Sequence, residues 1–171
     1  MKILVFSDTH GVTEMMEEAI RAHLRHGGID LLVHLGDGTR DFEAVTSGYR
    51  DIPTIAVSGN HEEFAMSFLD RDRLNIEQKF TAGGISFLAV HGHRLHVKSQ
   101  MQFAADHAIR AGADVLLYGH THGKEDATVE GTNGGHVRVI NPGAAGHWYN
   151  ASYAVLNIVD GKLVCGFAEK N

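Results

Sequence analysis

The chain has a single cysteine, Cys165, and two prolines in 171 residues. One thiol excludes an intrachain disulfide and fits a reducing compartment, so the cytoplasm is the expected location. Also lacking is any apolar run near the roughly 20 residues that cross a bilayer, so no membrane partner is expected. The N-terminal KILVF is too short for a secretory signal and runs straight into Ser7-Asp8; it reads as a strand. Positive charge is scarce as well, since 15 Lys and Arg against 21 Asp and Glu give a formal net charge of −6. Broad nucleic-acid binding, which rests on many cations neutralising phosphates, is therefore not expected. No glycine-rich loop ends in Gly-Lys-Ser/Thr, which disfavours a P-loop hydrolase. HEEFA at His61 lacks the second histidine of a zinc-protease helix.

Histidine, by contrast, is plentiful, with 13 copies. As a common metal ligand and proton carrier, it raises the prospect of a metal site without locating one. With 43% hydrophobic and 21% charged residues, the composition is that of a globular protein, and the length suits one domain over 1–171.

The first half alternates strand and helix: a strand over Lys2 to Phe6, a helix from Thr13 to His26, a strand over Asp30 to Leu35, a short helix around Asp41 to Thr46, and a strand from Pro53 through Val57. This order implies an α/β fold with a mainly parallel sheet. Further strands are expected over Ile85 to Val90 and Asp114 to Tyr118. The helix between them has a capping box at Ser99 and Gln102 and a stop at Gly112. Beyond His122, strands at Ala127 to Glu130, Val137 to Ile140, Ser152 to Val159 and Leu163 to Ala168 follow, the last two joined by an Asp160-Gly161 hairpin turn.

Five apolar runs break into small residues and then Asp, Asn or His: KILVFSDTHG, DLLVHLGDG, PTIAVSGNHE, ISFLAVHGH and LLYGHTHG. In an open parallel sheet the carboxyl ends of the strands share an edge where ligands bind, so these endings converge. Residues i and i+2 of an extended segment lie about 6–7 Å apart on one side, which lets Asp8 with His10, and His120 with His122, reach one ion. The candidates are Asp8, Asp37, Asn60, His10, His91, His120 and His122, with His93 an alternative to His91. Such a set exceeds one tetrahedral ion and suits two, about 3.5–4 Å apart, sharing a bridging carboxylate. Nitrogen and oxygen ligands without thiolate favour Mn, Fe, Zn, Co or Ni over Ca or Mg.

The ordered series FSDTHG, LGDG, SGNHE, HGH and GHTHG, with INPG at Ile140 to Gly143, resembles the calcineurin-like metallophosphoesterases, most closely their small, uncapped microbial phosphodiesterase branch. The resemblance implies a four-layer αββα sandwich. It implies that Asp8, His10 and His122 hold one ion, that Asn60, His91 and His120 hold the other, and that Asp37 bridges. Manganese is the first choice of metal, with Ni, Fe, Zn or Co as alternatives. His61 would sit beside the site as general acid. Two departures stand out: Arg40 occupies a position often acidic in relatives, with Asp41 one later, and Ala144 follows NPG where relatives often have serine.

On this reading a hydroxide bridging the two ions attacks the phosphorus of a small phosphate ester in line, and Arg40 and Arg94 are candidate substrate contacts. Two dications, two carboxylates and one hydroxide leave a local charge of about +1, suited to a singly negative diester despite the acidic chain. A homo-oligomer fits a small sheet-edged domain. The alternative is an interaction scaffold of the same fold, binding metal or not, with Met101 to Phe103 or Trp148-Tyr149 as its surface. His23, His26 and His34 read as structural.

Overall fold

The computed structural model describes residues 1–66 and 68–170. In the first half β1 (Lys2–Phe6), β2 (Leu31–His34) and β3 (Thr54–Ala56) alternate with α1 (Glu14–Arg25) and α2 (Thr39–Thr46). Then come α3 (Asn60–Ala65), β4 (Glu77–Ala82), β5 (Ile85–Val90), α4 (Met101–Arg110), β6 (Val115–Leu117), β7 (Lys124–Glu130), β8 (His136–Pro142), β9 (Ser152–Val159) and β10 (Lys162–Glu169).

The strands form two five-stranded sheets, ordered β10-β9-β1-β2-β3 and β4-β5-β6-β8-β7. In the first, β1, β2 and β3 are parallel, with β9 antiparallel to β1. In the second, β5, β6 and β8 are parallel, with β4 and β7 antiparallel at the edges.

Side-chain alternation explains the layering. Along β1, Ile3 and Val5 point to one side, where they meet Phe87 and Ala89 of β5 in a core between the sheets. Leu4 and Phe6 point to the other side and are covered by Met16, Ala19 and Ile20 of α1 and Phe42 of α2. The second sheet repeats this, with Leu88, Val90 and Leu116 under Ala104, Ala105 and Ala108 of α4. Strands buried on both faces read as continuous apolar runs, which is why these were visible in the sequence. The result is the expected αββα sandwich.

Some local expectations change. The Ser99 capping box does not form: Gln100 is the N-cap of α4, the Ser99 hydroxyl donates to His96 O, and the Gln102 amide turns to Glu130 O. β7 starts at Lys124, three residues before the expected Ala127, because its register with β8 extends to Lys124 opposite Pro142. β4 and α3 were not anticipated. β4 opens with three polar residues, Glu77, Gln78 and Lys79, and only its exposure alternates, with Phe80 stacked on Phe87; α3 is a six-residue helix too short to show a periodicity. Among the described residues no helix is long and apolar enough to cross a membrane.

Candidate metal centre

The loops after β1, β2, β3, β5 and β6 meet at one edge of the sandwich. Direct bonds show it: Asp8 N donates to Gly36 O at 3.0 Å, His10 N to Asp37 O at 3.1 Å, and Gly119 N to His91 O at 3.1 Å. Close approach is built in. Gly36 has φ +95°, and a Cβ there would lie 2.6 Å from Gly59 N, so the β2 and β3 loops touch only because both positions are glycine.

Asp8, His10, Asp37, His120 and His122 all have positive φ without being glycine, between 47° and 68°. Left-handed backbone costs such residues about 1–3 kcal/mol each and persists where the surroundings over-determine it, commonly at ligand clamps. Five of the seven candidates share it.

The buried Asp8 anchors the cluster. Its Oδ2 accepts the Ser7 hydroxyl at 2.5 Å and the His120 N–H at 3.1 Å. Its Oδ1 is buried and has no hydrogen-bond partner among the described residues. Facing that orphaned oxygen are Nε2 of His122 at 3.2 Å, of His10 at 3.8 Å and of His91 at 4.0 Å. The Nε2 atoms of His10 and His122 are 3.5 Å from one another. Burial opposes ionisation of Asp8, but the His122 imidazole beside its Oδ1, the nearby His91 and the Ser7 hydroxyl outweigh it and hold the carboxyl below its ordinary range.

Asp37 is the second carboxylate. Its Oδ1 accepts the His61 backbone N–H at 2.8 Å, and its Oδ2 faces His91 Nε2 at 3.4 Å and His61 Nε2 at 3.8 Å. Burial again opposes ionisation, and hydrogen bonding to His91 and His61 prevails, so this carboxyl is strongly acidic. His91 Nδ1 lies 2.7 Å from Leu35 O; since a carbonyl only accepts, Nδ1 carries a proton and Nε2 is the nitrogen turned to the centre, where it would give its lone pair to a bound cation. Without one, burial lowers the ring's pKa but Asp37 and Asp8 outweigh it and favour a proton on Nε2. Asn60 Oδ1 sits 3.1 Å from that Nε2.

Ligand-capable atoms thus gather in three overlapping groups: Asp8, His10 and His122; His10, Asp37 and His61; and Asp8, Asp37 and His91. Each pair of groups shares one residue, His10, Asp8 or Asp37. His120 packs its ring 5.0 Å from that of His91 but is in none of the three groups. His93 is turned elsewhere, with Nε2 on Glu63 at 2.8 Å. An acidic, buried oxygen without a partner, ringed by imidazole nitrogens, fits a divalent cation: the cation would satisfy the oxygen and relieve the crowding of lone pairs.

The arginines separate. The Arg94 guanidinium is forked onto Glu63, with Nε at 3.1 Å and Nη2 at 2.9 Å. Arg40 instead lines a cleft running from His10, Asp37 and His61.

Three residues support the site: Glu62, which the sequence did not single out, and Asp41 and Asn141, which it showed only as parts of motifs. Glu62 accepts backbone N–H groups from Asp37, Gly38, Thr39 and Gly59. Asp41 accepts the Thr9 hydroxyl at 2.7 Å and Gly11 N at 2.8 Å, and so ties α2 to the β1 loop. Asn141, in INPG, donates to Gly119 O and Thr121 Oγ1 and steadies the GHTHG loop. Only the position of the acidic pair within SGNHEE hinted at Glu62.

An αββα sandwich with paired carboxylates and imidazoles at its strand ends defines a metal-binding hydrolase architecture. The calcineurin-like phosphoesterase superfamily domain model matches residues 1–161, and the chain belongs to that family. A probable metallophosphoesterase of Bacillus subtilis (strain 168), YsnB, is 31% identical over 144 residues, covering 84% of this chain and 75% of the relative. One from Mycoplasma pneumoniae (strain ATCC 29342 / M129 / Subtype 1) is 29% identical over 170 residues, covering 95% and 92%. Among solved structures, a conserved Streptococcus pneumoniae TIGR4 protein described as a predicted phosphoesterase has TM-score 0.71 at 22% identity, covering 98% of this chain and 88% of its own. An archaeal protein described as a novel phosphodiesterase has TM-score 0.65 at 23% identity, covering 98% and 100%. Membership places the chain among metal-dependent hydrolases of phosphate esters.

Proposed function

We propose that residues 1–171 act as one domain and hydrolyse phosphodiesters with two divalent cations. Asp8, His10 and His122 hold one cation, Asn60, His91 and His120 hold the other, and Asp37 lies between them. The observation that carries this reading is the buried Asp8 Oδ1, without a hydrogen-bond partner among the described residues and faced by three imidazole nitrogens. Cations bound there lower the pKa of water toward neutrality and stabilise negative charge on phosphoryl oxygens.

The chain's own residues do the rest. The Leu35 carbonyl fixes the His91 tautomer so that Nε2 faces inward. Ser7 and the His120 N–H hold one oxygen of Asp8 and so aim the other. His61 is exposed, with Nε2 3.8 Å from Asp37 Oδ2 and its ring 4.7 Å from that of His10. That is a suitable place to deliver a proton to a departing alkoxide, which is why we assign it as general acid. The diester preference draws on the open cleft beside His61 and on the archaeal phosphodiesterase neighbour.

The test is to strip the metal, restore Mn, Ni, Zn or Mg in turn, and follow an aryl phosphodiester and its monoester. Activity restored by Mn, faster on the diester, is the expected result. Faster monoester hydrolysis would overturn the diester preference. In the same assay His61→Ala is expected to slow an alkyl leaving group about 10²–10⁴-fold and a nitrophenyl group far less. Equal effects on both would remove His61 as general acid.

A second reading, an interaction scaffold of this fold, draws on Trp148 and Tyr149, which are 77% and 69% exposed with ring centroids 3.6 Å apart. A protein inert with every metal would favour it.

A further inference from the structure

The cleft that begins at His10, Asp37 and His61 has a volume of about 520 Å³, far more than a phosphate group needs. Beyond the centre its wall includes Ala56, Ala65, Met66 and Leu74, a surface without charge. Because His61 lines the same cleft, a group carried on the oxygen that His61 would protonate extends into it. The cleft therefore lies on the leaving-group side.

Its polar lining argues for a neutral occupant. Away from the centre, three carboxylates, Asp41, Glu43 and Glu62, stand against two cations, Arg40 and Arg73. Arg73 is paired with Asp70 at 3.4 Å. Arg40 has no ion pair among the described residues, so its planar guanidinium is available to stack on a ring or to donate to its edge. The Asn75 side-chain nitrogen is engaged with Ala56 O at 2.7 Å and Gln78 Oε1 at 2.9 Å and its main-chain carbonyl with Ser58 N, which leaves the side-chain oxygen to accept from a ligand. A second anion on the alcohol would meet this excess of carboxylates. An apolar ring with a few donors on its edge would not.

We propose that this cleft is the leaving-alcohol subsite and that it selects a neutral, ring-bearing alcohol over an anionic one. The proposal rests on the phosphodiesterase reading: water adds to phosphorus, the bond from phosphorus to the alcohol oxygen breaks, and the alcohol leaves with a proton from His61.

The methyl phosphodiesters of 4-methylumbelliferone and of 7-hydroxycoumarin-4-acetic acid share one ring system and differ by a carboxylate. With the metal-loaded protein, kcat/KM for the neutral ring is expected to exceed that for the anionic ring by at least about tenfold. Ala65→Phe, which fills the cleft, is expected to bring the ratio close to one, and Leu74→Trp is a second filling variant should the first fold poorly. Fluorescence anisotropy of free 4-methylumbelliferone, with 7-hydroxycoumarin-4-acetate as comparison, reads the cleft without hydrolysis. Binding of the neutral coumarin alone, lost in the filled variants, supports the subsite even if no diester is cleaved, an outcome that would defeat only the phosphodiesterase reading. Hydrolysis without discrimination, together with coumarin binding unchanged by filling, overturns the subsite and leaves the phosphodiesterase reading standing.

Discussion

The Glu62 carboxylate accepts the backbone N–H of Asp37 at 2.9 Å across 25 positions of sequence. The same group accepts Gly38 N at 2.7 Å, Thr39 N at 3.0 Å and Gly59 N at 2.7 Å. One side chain of α3 thus holds the β2 loop, the first turn of α2 and the start of its own helix. It fixes the backbone on which Asp37 and Asn60 are mounted.

Glu62→Ala removes two acceptor oxygens and, with them, four hydrogen bonds. Bonds to a charged group contribute more than neutral ones and the loop is partly buried, so a stability loss of about 2–4 kcal/mol in urea unfolding is expected, with a parallel fall in bound metal. Glu62→Gln retains one oxygen but turns an N–H toward the donors and should fall between. A Glu62→Ala protein within about 0.5 kcal/mol of wild type would show that the loops hold themselves.

Asp8→Asn separates fold from metal. The amide oxygen can still take the Ser7 hydroxyl and the His120 N–H, while the orphaned anionic oxygen is lost. Stability of the metal-free protein should fall only by what the Asp8 charge gains from His122 and His91, since no backbone bond is broken. Wild type in Mn at about 100 times Kd should gain about 2.7 kcal/mol over its chelated form. That gain should be absent or much reduced in Asp8→Asn, and turnover should drop about a thousandfold or more, equivalent to ~4 kcal/mol of lost charge stabilisation. An unchanged metal-induced shift in Tm would remove Asp8 from the ligand set.

What the sequence disclosed, and what it withheld, follows from range. Apolar runs such as Leu31 to Leu35 are legible because both faces of their strands are covered. The motif endings are legible because a ligand must follow its strand directly. Glu62 and Glu63 are adjacent acids on a short helix and look like a solvated surface; only the fold shows that one cradles the Asp37 loop and the other joins His93 and Arg94. Arg94 was singled out for its nearness in sequence to His91, yet its fork is occupied by Glu63, 31 positions away. The Ser99 and Gln102 pattern failed for a related reason. Gln102 gains more by reaching Glu130 O, across the gap to β7, than by capping its own helix.

Cys165 lies on β10 against the core between the sheets. Burial pushes its thiol up to about 11 from 9.0, with Asp126 adding to the rise and Arg138 opposing it. A shift of this size lowers the thiolate fraction at pH 8 about a hundredfold relative to the unfolded chain. Aromatic disulfide reagents should therefore label native Cys165 about a hundred times more slowly than the denatured protein. Equal rates would mean that the strand frays open.

His34 is fully buried behind the centre. Its Nδ1 accepts Gly36 N at 3.2 Å, and its Nε2 lies 3.5 Å from the Thr9 hydroxyl, which donates in turn to Asp41. This pattern suits a neutral ring protonated at Nε2. Burial pushes its pKa down to about 4 from 6.5, against the pull of Glu62, Asp8 and Asp41. Between those two values the unfolded chain takes up a proton that the folded chain refuses, so stability is present above pH 6.5 and falls as pH drops toward 4. For metal-free protein the loss from this residue between pH 7.5 and 5 is about 2 kcal/mol. His34→Asn keeps an acceptor near Gly36 N but cannot titrate. It should be less stable at pH 7.5, because the smaller side chain leaves a void, and should lose about 2 kcal/mol less than wild type over the same pH interval. Parallel pH profiles for the two proteins in urea unfolding would show that acid acts elsewhere in the cluster.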